Sequence, residues 1–169
     1  MEDRSKNRPT VDASSITFRP AQPDDEPFLF RVYASTRADE MALSGWDATQ
    51  QEAFLRLQFT AQKMAYGAQY PDAEHRIILD DDRLIGRMLI ARTENEIRLV
   101  DITLLPERRR AGIGTALIRN LQSEAASAGQ PIRLRVMKSN RAALLYQRLG
   151  FSKSDESSTH FQMEWRPGP

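Results

Sequence analysis

EIRLVDITLLPERRRAGIGTAL, Glu96–Leu117, holds the most information per residue in this chain. Its first part is apolar for most of its length, as a strand in the middle of a sheet would be. Pro106 stops that strand and three arginines follow, Arg108 to Arg110. Gly112 and Gly114 then open a run whose apolar residues, Ile113, Leu117, Leu121, Ala125 and Ala128, recur at helical spacing. Strand, turn, glycines and helix form a layout in which backbone N–H groups converge on an anion at a helix N-terminus. The same residues also suit a plain tight turn with arginines facing water, and spacing alone does not separate the two. Two nucleotide motifs do not hold: the glycine spacing and lysine of a Walker loop are absent, and Leu117 stands where a Rossmann fingerprint needs a small residue.

Working outward, Ile16–Ala21 alternates as a strand, and the acidic, proline-containing stretch after it predicts a helix. A second helix is predicted from about Ala48 to Tyr66, and HRIILDDDRLIGRMLIAR predicts a hairpin around an Asp-rich turn. The glycine-opened helix is expected over Ala111–Ala128 with Gly129 as its C-cap, followed by a strand ending at Met137. A short helix from Asn140 to Gly150 and a strand over His160–Arg166 complete the order, with a further short strand near Phe151. The order β-α-α-β-β-β-α-β-α-β implies an α/β (α+β) fold: a mixed, mostly antiparallel sheet of six or seven strands flanked by about four helices. Residues 1–14 read as a flexible leader, 15–166 as a single domain and 167–169 as a tail.

Composition excludes several classes of function. The chain has 24 Lys plus Arg against 23 Asp plus Glu, too balanced for a dedicated nucleic-acid binder. It has no cysteine, hence no disulfide, thiolate metal site or cysteine nucleophile. His75 and His160 stand apart, so no metal is expected. No apolar run reaches the roughly 18 residues of a membrane span. The polar start MEDRSKNRPTVDASS is no secretory signal, so a cytoplasmic protein is expected.

Arg109-Arg110-Ala111-Gly112-Ile113-Gly114 matches the acetyl-CoA loop [QR]-x-x-G-x-[GA] of the GNAT N-acetyltransferase superfamily. Beyond Gly114 by 26 residues comes NRAALLYQRLGF, which resembles a second segment of that family at Asn140, Ala143, Leu145, Tyr146, Gly150 and Phe151. The resemblance spans about Ile16–Trp165 and is specific from roughly Leu99 to Phe151. It implies that acetyl-CoA is the co-substrate, with its pyrophosphate on the backbone from Arg109 through Arg110, Ala111, Gly112, Ile113 and Gly114 to Thr115. It also implies that the pantetheine arm pairs with backbone at Thr103, Leu104 and Leu105, where the fourth strand splays from the fifth, and that Asn140 and Ala143 border it. Arg108 is left as a solvated neighbour. Tyr146 takes the role of general acid toward the departing thiolate.

The implied reaction is attack of an amine on the thioester with both substrates bound. Asp101 is the first candidate for proton acceptor and Glu40 the second, although either could be an ordinary solvated or ion-paired carboxylate. Gln58, Gln62 and Tyr66 recur at i, i+4 and i+8 and would line an acceptor pocket if they face inward. Trp46 and Arg37 could join them, Arg37 by holding an acceptor carboxylate. A small-molecule amine is the expected acceptor. The alternatives are a protein or peptide acetyltransferase and a CoA-binding protein without turnover. Many members of the family are dimers, which leaves a homodimer open.

Overall fold

The computed structural model describes residues 13–168. Residues 1–12 of the expected leader and Pro169 of the expected tail lie outside them. The described residues begin with a 3-10 turn, Ala13–Ser15, whose Ser15 hydroxyl donates to Asp80 at 2.6 Å.

Seven strands form one sheet: β1 Ile16–Pro20, β2 Glu74–Asp80, β3 Arg83–Arg92, β4 Ile97–Leu104, β5 Ile132–Met137, β6 Ser152–Glu156 and β7 His160–Trp165. Their spatial order is β1-β2-β3-β4-β5-β7-β6, and every neighbouring pair is antiparallel except β4 with β5. β6 is the short strand expected near Phe151.

Five helices flank the sheet: α1 Glu26–Ser35, α2 Ala38–Ala42, α3 Ala48–Gln69, α4 Ile113–Ala128 and α5 Ala142–Arg148. The five-residue α2 is the helix that the sequence did not announce. It is too short to show a period, so its apolar pattern carries no signal. α3 begins where the sequence placed it because Asp47 and Gln50 form a reciprocal cap, at 2.8 and 3.0 Å. α4 starts at Ile113 rather than Ala111 because Gly112 sits at φ +83°, outside helical space.

The helices cover opposite faces of the sheet. Ile113, Leu117, Ile118, Leu121 and Ala125 of α4 pack with Ala143 and Tyr146 of α5 on a core that includes Met88, Ile90, Ile132 and Leu134. On the other face, Leu29 and Tyr33 of α1, Met41 of α2, and Leu55 and Phe59 of α3 pack with Ile77. β3 is buried from Ile85 through Ile90, the mark of a strand covered on both sides.

Two features of β4 position everything that follows. Leu89 pairs with Asp101 and Ile90 with Leu99, so Val100 is left out of the register as a β-bulge. Pairing of β4 with β5 runs only through Ile97, Arg98 and Leu99. Beyond that point the two strands part.

Gly86 keeps β3 tight against the free part of β4. A Cβ at this position would lie 2.3 Å from the carbonyl oxygen of Thr103, which is backbone and cannot rotate away. Gly86→Ala is therefore expected to lower the unfolding free energy by about 1–3 kcal/mol in urea titrations. An unchanged midpoint would show that the strands separate without cost.

Candidate acetyl-CoA and acceptor site

Backbone alternation determines which groups of β4 face the gap left by β5. The N–H of Leu105 donates to the carbonyl of Ile85 at 2.8 Å, so Leu105 and, two residues back, Thr103 turn their backbone toward β3. Ile102 and Leu104 consequently point theirs toward the gap. Of the three positions expected to meet pantetheine, Thr103 and Leu105 turn their backbone to β3, whereas Leu104, together with Ile102, faces the gap. The splay was expected, but the parity of the ladder was not readable from the chain.

The loop that follows is a 3-10 turn, Pro106–Arg108, leading to Arg110 at φ +60° and Gly112 at φ +83°. A left-handed arginine is unfavourable by roughly 1–2 kcal/mol, so the surroundings hold this geometry against its own preference. Gly112 caps α4 without a side chain, and a Cβ built on it would meet nothing within 4 Å. The N–H groups of Ile113, Gly114 and Thr115 have no intrahelical acceptor, because the first bond of the helix runs from Ala116 to the Gly112 carbonyl at 3.0 Å. An open concavity with unspent donors at a helix start suits a phosphate. Gly114 serves packing as well: its Cβ position lies 3.7 Å from Leu145 Cδ2, so α4 and α5 approach closely there.

The three arginines have separate tasks. Arg108 is not a solvated neighbour, as expected, but pairs with Asp80 at 2.8 Å. Arg109 donates through Nε to the Leu104 carbonyl at 2.8 Å and through Nη2 to the Ser35 hydroxyl at 3.2 Å. It thereby ties the loop to the end of α1 and holds the very carbonyl that faces the gap. Arg110 is exposed.

Tyr146 and Ala143 are buried on α5, and the Tyr146 ring packs against Phe151 with centroids 5.5 Å apart. Burial, and then the charge of Asp101, hold its phenol well above the usual range, so the hydroxyl keeps its proton at neutral pH. Asn140 Oδ1 accepts from the Ala142 N–H at 2.9 Å, across the N-cap residue Arg141, and so steadies the start of α5.

Asp101 has both oxygens engaged. Oδ2 accepts from Arg87 Nε at 2.6 Å and Oδ1 from the Thr103 hydroxyl at 3.1 Å. Arg87 in turn donates through Nη2 to Gln62 Oε1 at 2.6 Å. The polar stripe of α3 therefore faces inward: Gln62 reaches the sheet, and Gln58 and Tyr66 are half-buried beside it. Burial, and then Asp101, push the Tyr66 hydroxyl up to about 12. Three expected acceptor-side residues are occupied elsewhere. Glu40 and Arg37 are paired with each other at 2.6 Å on the exposed α2, where neither meets Asp101. Trp46 packs edge-on against Phe54 at 5.1 Å and stays partly exposed.

Arg87 and His75 escaped the sequence reading, although a trace of Arg87 was present. An arginine inside the apolar run Leu84–Ala91 must find a buried partner, and the strand that follows supplies one. Among the described residues no cluster of His, Asp or Glu could hold a metal ion, and no helix is long and apolar enough to cross a membrane. A surface cleft of about 390 Å³, lined by Lys138, Arg141, Lys153 and Phe161 among others, lies between α5 and the β6–β7 hairpin.

Comparison with known proteins agrees with this geometry. Residues 71–153 match the family model described as an acetyltransferase (GNAT) domain. The [ribosomal protein bS18]-alanine N-acetyltransferase of Haemophilus influenzae is 25% identical over 117 residues, covering 69% of this chain and 78% of that protein. The PaiA N-acetyltransferase of Thermoplasma acidophilum, solved in complex with coenzyme A, has a TM-score of 0.67 at 22% identity, covering 90% of this chain and 99% of that one. The ribosomal-protein-S18-alanine N-acetyltransferase from Escherichia coli has a TM-score of 0.61 at 18% identity, covering 91% and 95%. Residues 71–153 thus match a GNAT acetyltransferase domain, and the chain as a whole has the fold of GNAT acetyltransferases, acyltransferases that use acetyl-CoA.

If Gly112 leaves room for a ligand rather than for the fold, bulk there should act on binding alone. Gly112→Trp is expected to fold, at a cost of about 1–2 kcal/mol from its positive φ, yet to lose CoA binding in calorimetric titration. Binding at wild-type affinity would remove the loop from the site.

Proposed function

We propose that this protein is an N-acetyltransferase that moves an acetyl group from acetyl-CoA to the primary amine of a small molecule, both substrates being bound together. The observation that carries this reading is the parting of β4 from β5 beyond Leu99, with the Gly112 concavity at one end and Tyr146 on the helix that follows β5. Acetyl-CoA supplies the activated acyl group as a thioester. Its pyrophosphate is placed on the N–H groups of Gly112 to Thr115, and its pantetheine amides along Ile102 and Leu104.

Within that frame the side chains divide the proton transfers. Tyr146 keeps its proton because a phenolate would be buried beside Asp101, and so it donates to the leaving thiolate. Asp101 receives the proton of the amine, while Arg87 and Thr103 hold it in one orientation. The segment from Arg37 to Asp47 is held by its own bonds: Arg37 to Glu40, and Gln51 Nε2 to the Met41 and Trp46 carbonyls at 3.2 and 3.0 Å. An ordered flap beside α3 favours a small acceptor over a long peptide.

One observation favours a second reading. Two of the proteins named above are ribosomal-protein alanine N-acetyltransferases, and Leu43 and Trp46 expose apolar surface on the same flap, which a peptide acceptor could cover. The two readings separate in an acetylation assay that follows CoA release with a panel of small amines and of peptides with free N-termini. Tyr146→Phe is expected to lower kcat on the order of a hundredfold while CoA affinity stays near wild type. Full turnover by this variant would remove Tyr146 from the acid role, and failure of every amine and peptide would leave a CoA-binding protein.

A further inference from the structure

The sequence offered Arg37 for an acceptor carboxylate, but Arg37 is spent on Glu40. The buried cation beside the gap is Arg87, whose side chain is only 8% exposed. It lies on the sheet face that carries Ile77, opposite α1 and α3, and its partners come from two directions, Asp101 on β4 and Gln62 on α3. The strand register places Thr103 directly across from Arg87 and His75 diagonal to it, on the same face.

Burying such a set is costly unless every group is satisfied; here one fully buried atom is not, and three donors that keep some access to the surface have no protein acceptor. Among the described residues Arg87 Nη1, Gln62 Nε2 and the Tyr66 hydroxyl donate to no protein group, and buried His75 Nε2 has no partner. Three of these four are donors. Tyr66 remains one, because its hydroxyl is pushed up to about 12. The fixed charges close by are the single Arg87–Asp101 pair, which is neutral as a unit, while Asp25 and Lys63 farther out are neutralised by Arg19 and Glu26. A neutral pair edged by unspent donors is complementary to a molecule of alternating charge. Its amine would lie toward Asp101 and its oxyanion toward the donors.

Resting on the acetyl-transfer reading above, we propose that Arg87, with Gln62 and Tyr66, binds a carboxylate of the acceptor. The substrates are then primary amines that carry a carboxylate, of the chemical class of free amino acids, and Arg87 determines that specificity. A peptide N-terminus presents a neutral amide at the same place and cannot supply the oxyanion.

The test compares matched acceptors: several amino acids, each with its carboxamide and with the amine lacking the carboxyl group. Values of kcat/KM are taken on the unprotonated amine, so that differences in amine basicity drop out. The wild-type protein is expected to prefer the acid over both analogues by about tenfold to a hundredfold, the range of a hydrogen bond to a charged group. Gln62→Leu and Arg87→Met should shrink that ratio through KM for the acid, and Arg87→Lys should restore part of it. If Arg87→Met does not fold, the wild-type ratio and the Gln62→Leu ratio decide alone. Equal rates for acid and carboxamide in the wild-type protein, or preference for the carboxamide, would overturn the proposal while leaving acetyl transfer intact. Absence of turnover with every one of these amines would instead overturn the reading as a small-molecule acetyltransferase, and this proposal with it.

Discussion

Beyond Leu99 the β5 side of β4 carries backbone donors and acceptors that the sheet does not use. Unpaired strand edges demand partners, and folded proteins rarely leave one open inside the molecule. Here the opening is built in. A bulge at Val100 turns the strand, Gly86 lets β3 hold the other edge at close range, and the parallel pairing with β5 stops. Arg109 occupies the Leu104 carbonyl from the side of the loop, so part of the exposed edge is satisfied by the very segment that opens the phosphate concavity. The strand, the loop and the start of α4 therefore behave as one device. Each depends on β4 having lost its neighbour.

The same bulge sets the parity of the acceptor side. Asp101 follows Val100 directly and faces α3, which brings it to Arg87 and, through Arg87, to Gln62. A buried ion pair contributes little net stability once desolvation is counted. Its evident effect here is orientation: three elements are locked around one guanidinium, and the donors left over point to a ligand. Burial keeps the nearby phenols Tyr66 and Tyr146 protonated. The site thus offers hydrogen-bond donors on both sides of the gap and a single carboxylate between them.

Much of this was legible in the chain, because the signals were local. The apolar strand ending at Pro106, the glycines before the Ile113–Ala125 stripe and the segment Asn140–Phe151 each declare an element from short-range spacing. Whether the α3 stripe turns inward was left open by its spacing, and only the bond from Arg87 to Gln62 decides it. What stayed hidden depends on residues far apart. Arg108 finds Asp80, Arg109 finds Ser35, and Arg87 finds Gln62 only once the sheet has brought α1, α3 and β2 together. Glu40 and Arg37 pair with each other as an (i, i+3) couple beside α2, a bond that depends on a helix too short to show in the sequence. The choice between Ile102 and Thr103 was hidden as well, since one bulged residue reverses which backbone groups face the gap.

The central claim is that acetyl-CoA completes the edge that β5 abandons. Amide hydrogen exchange with and without CoA addresses it residue by residue, since a bound strand-like partner protects the N–H groups it engages. The account predicts added protection at Ile102 and Leu104 and at Ile113 to Thr115, with Thr103 and Leu105 unchanged because β3 already holds them. Protection confined to the cleft between α5 and the β6–β7 hairpin, with β4 exchanging as before, would contradict it.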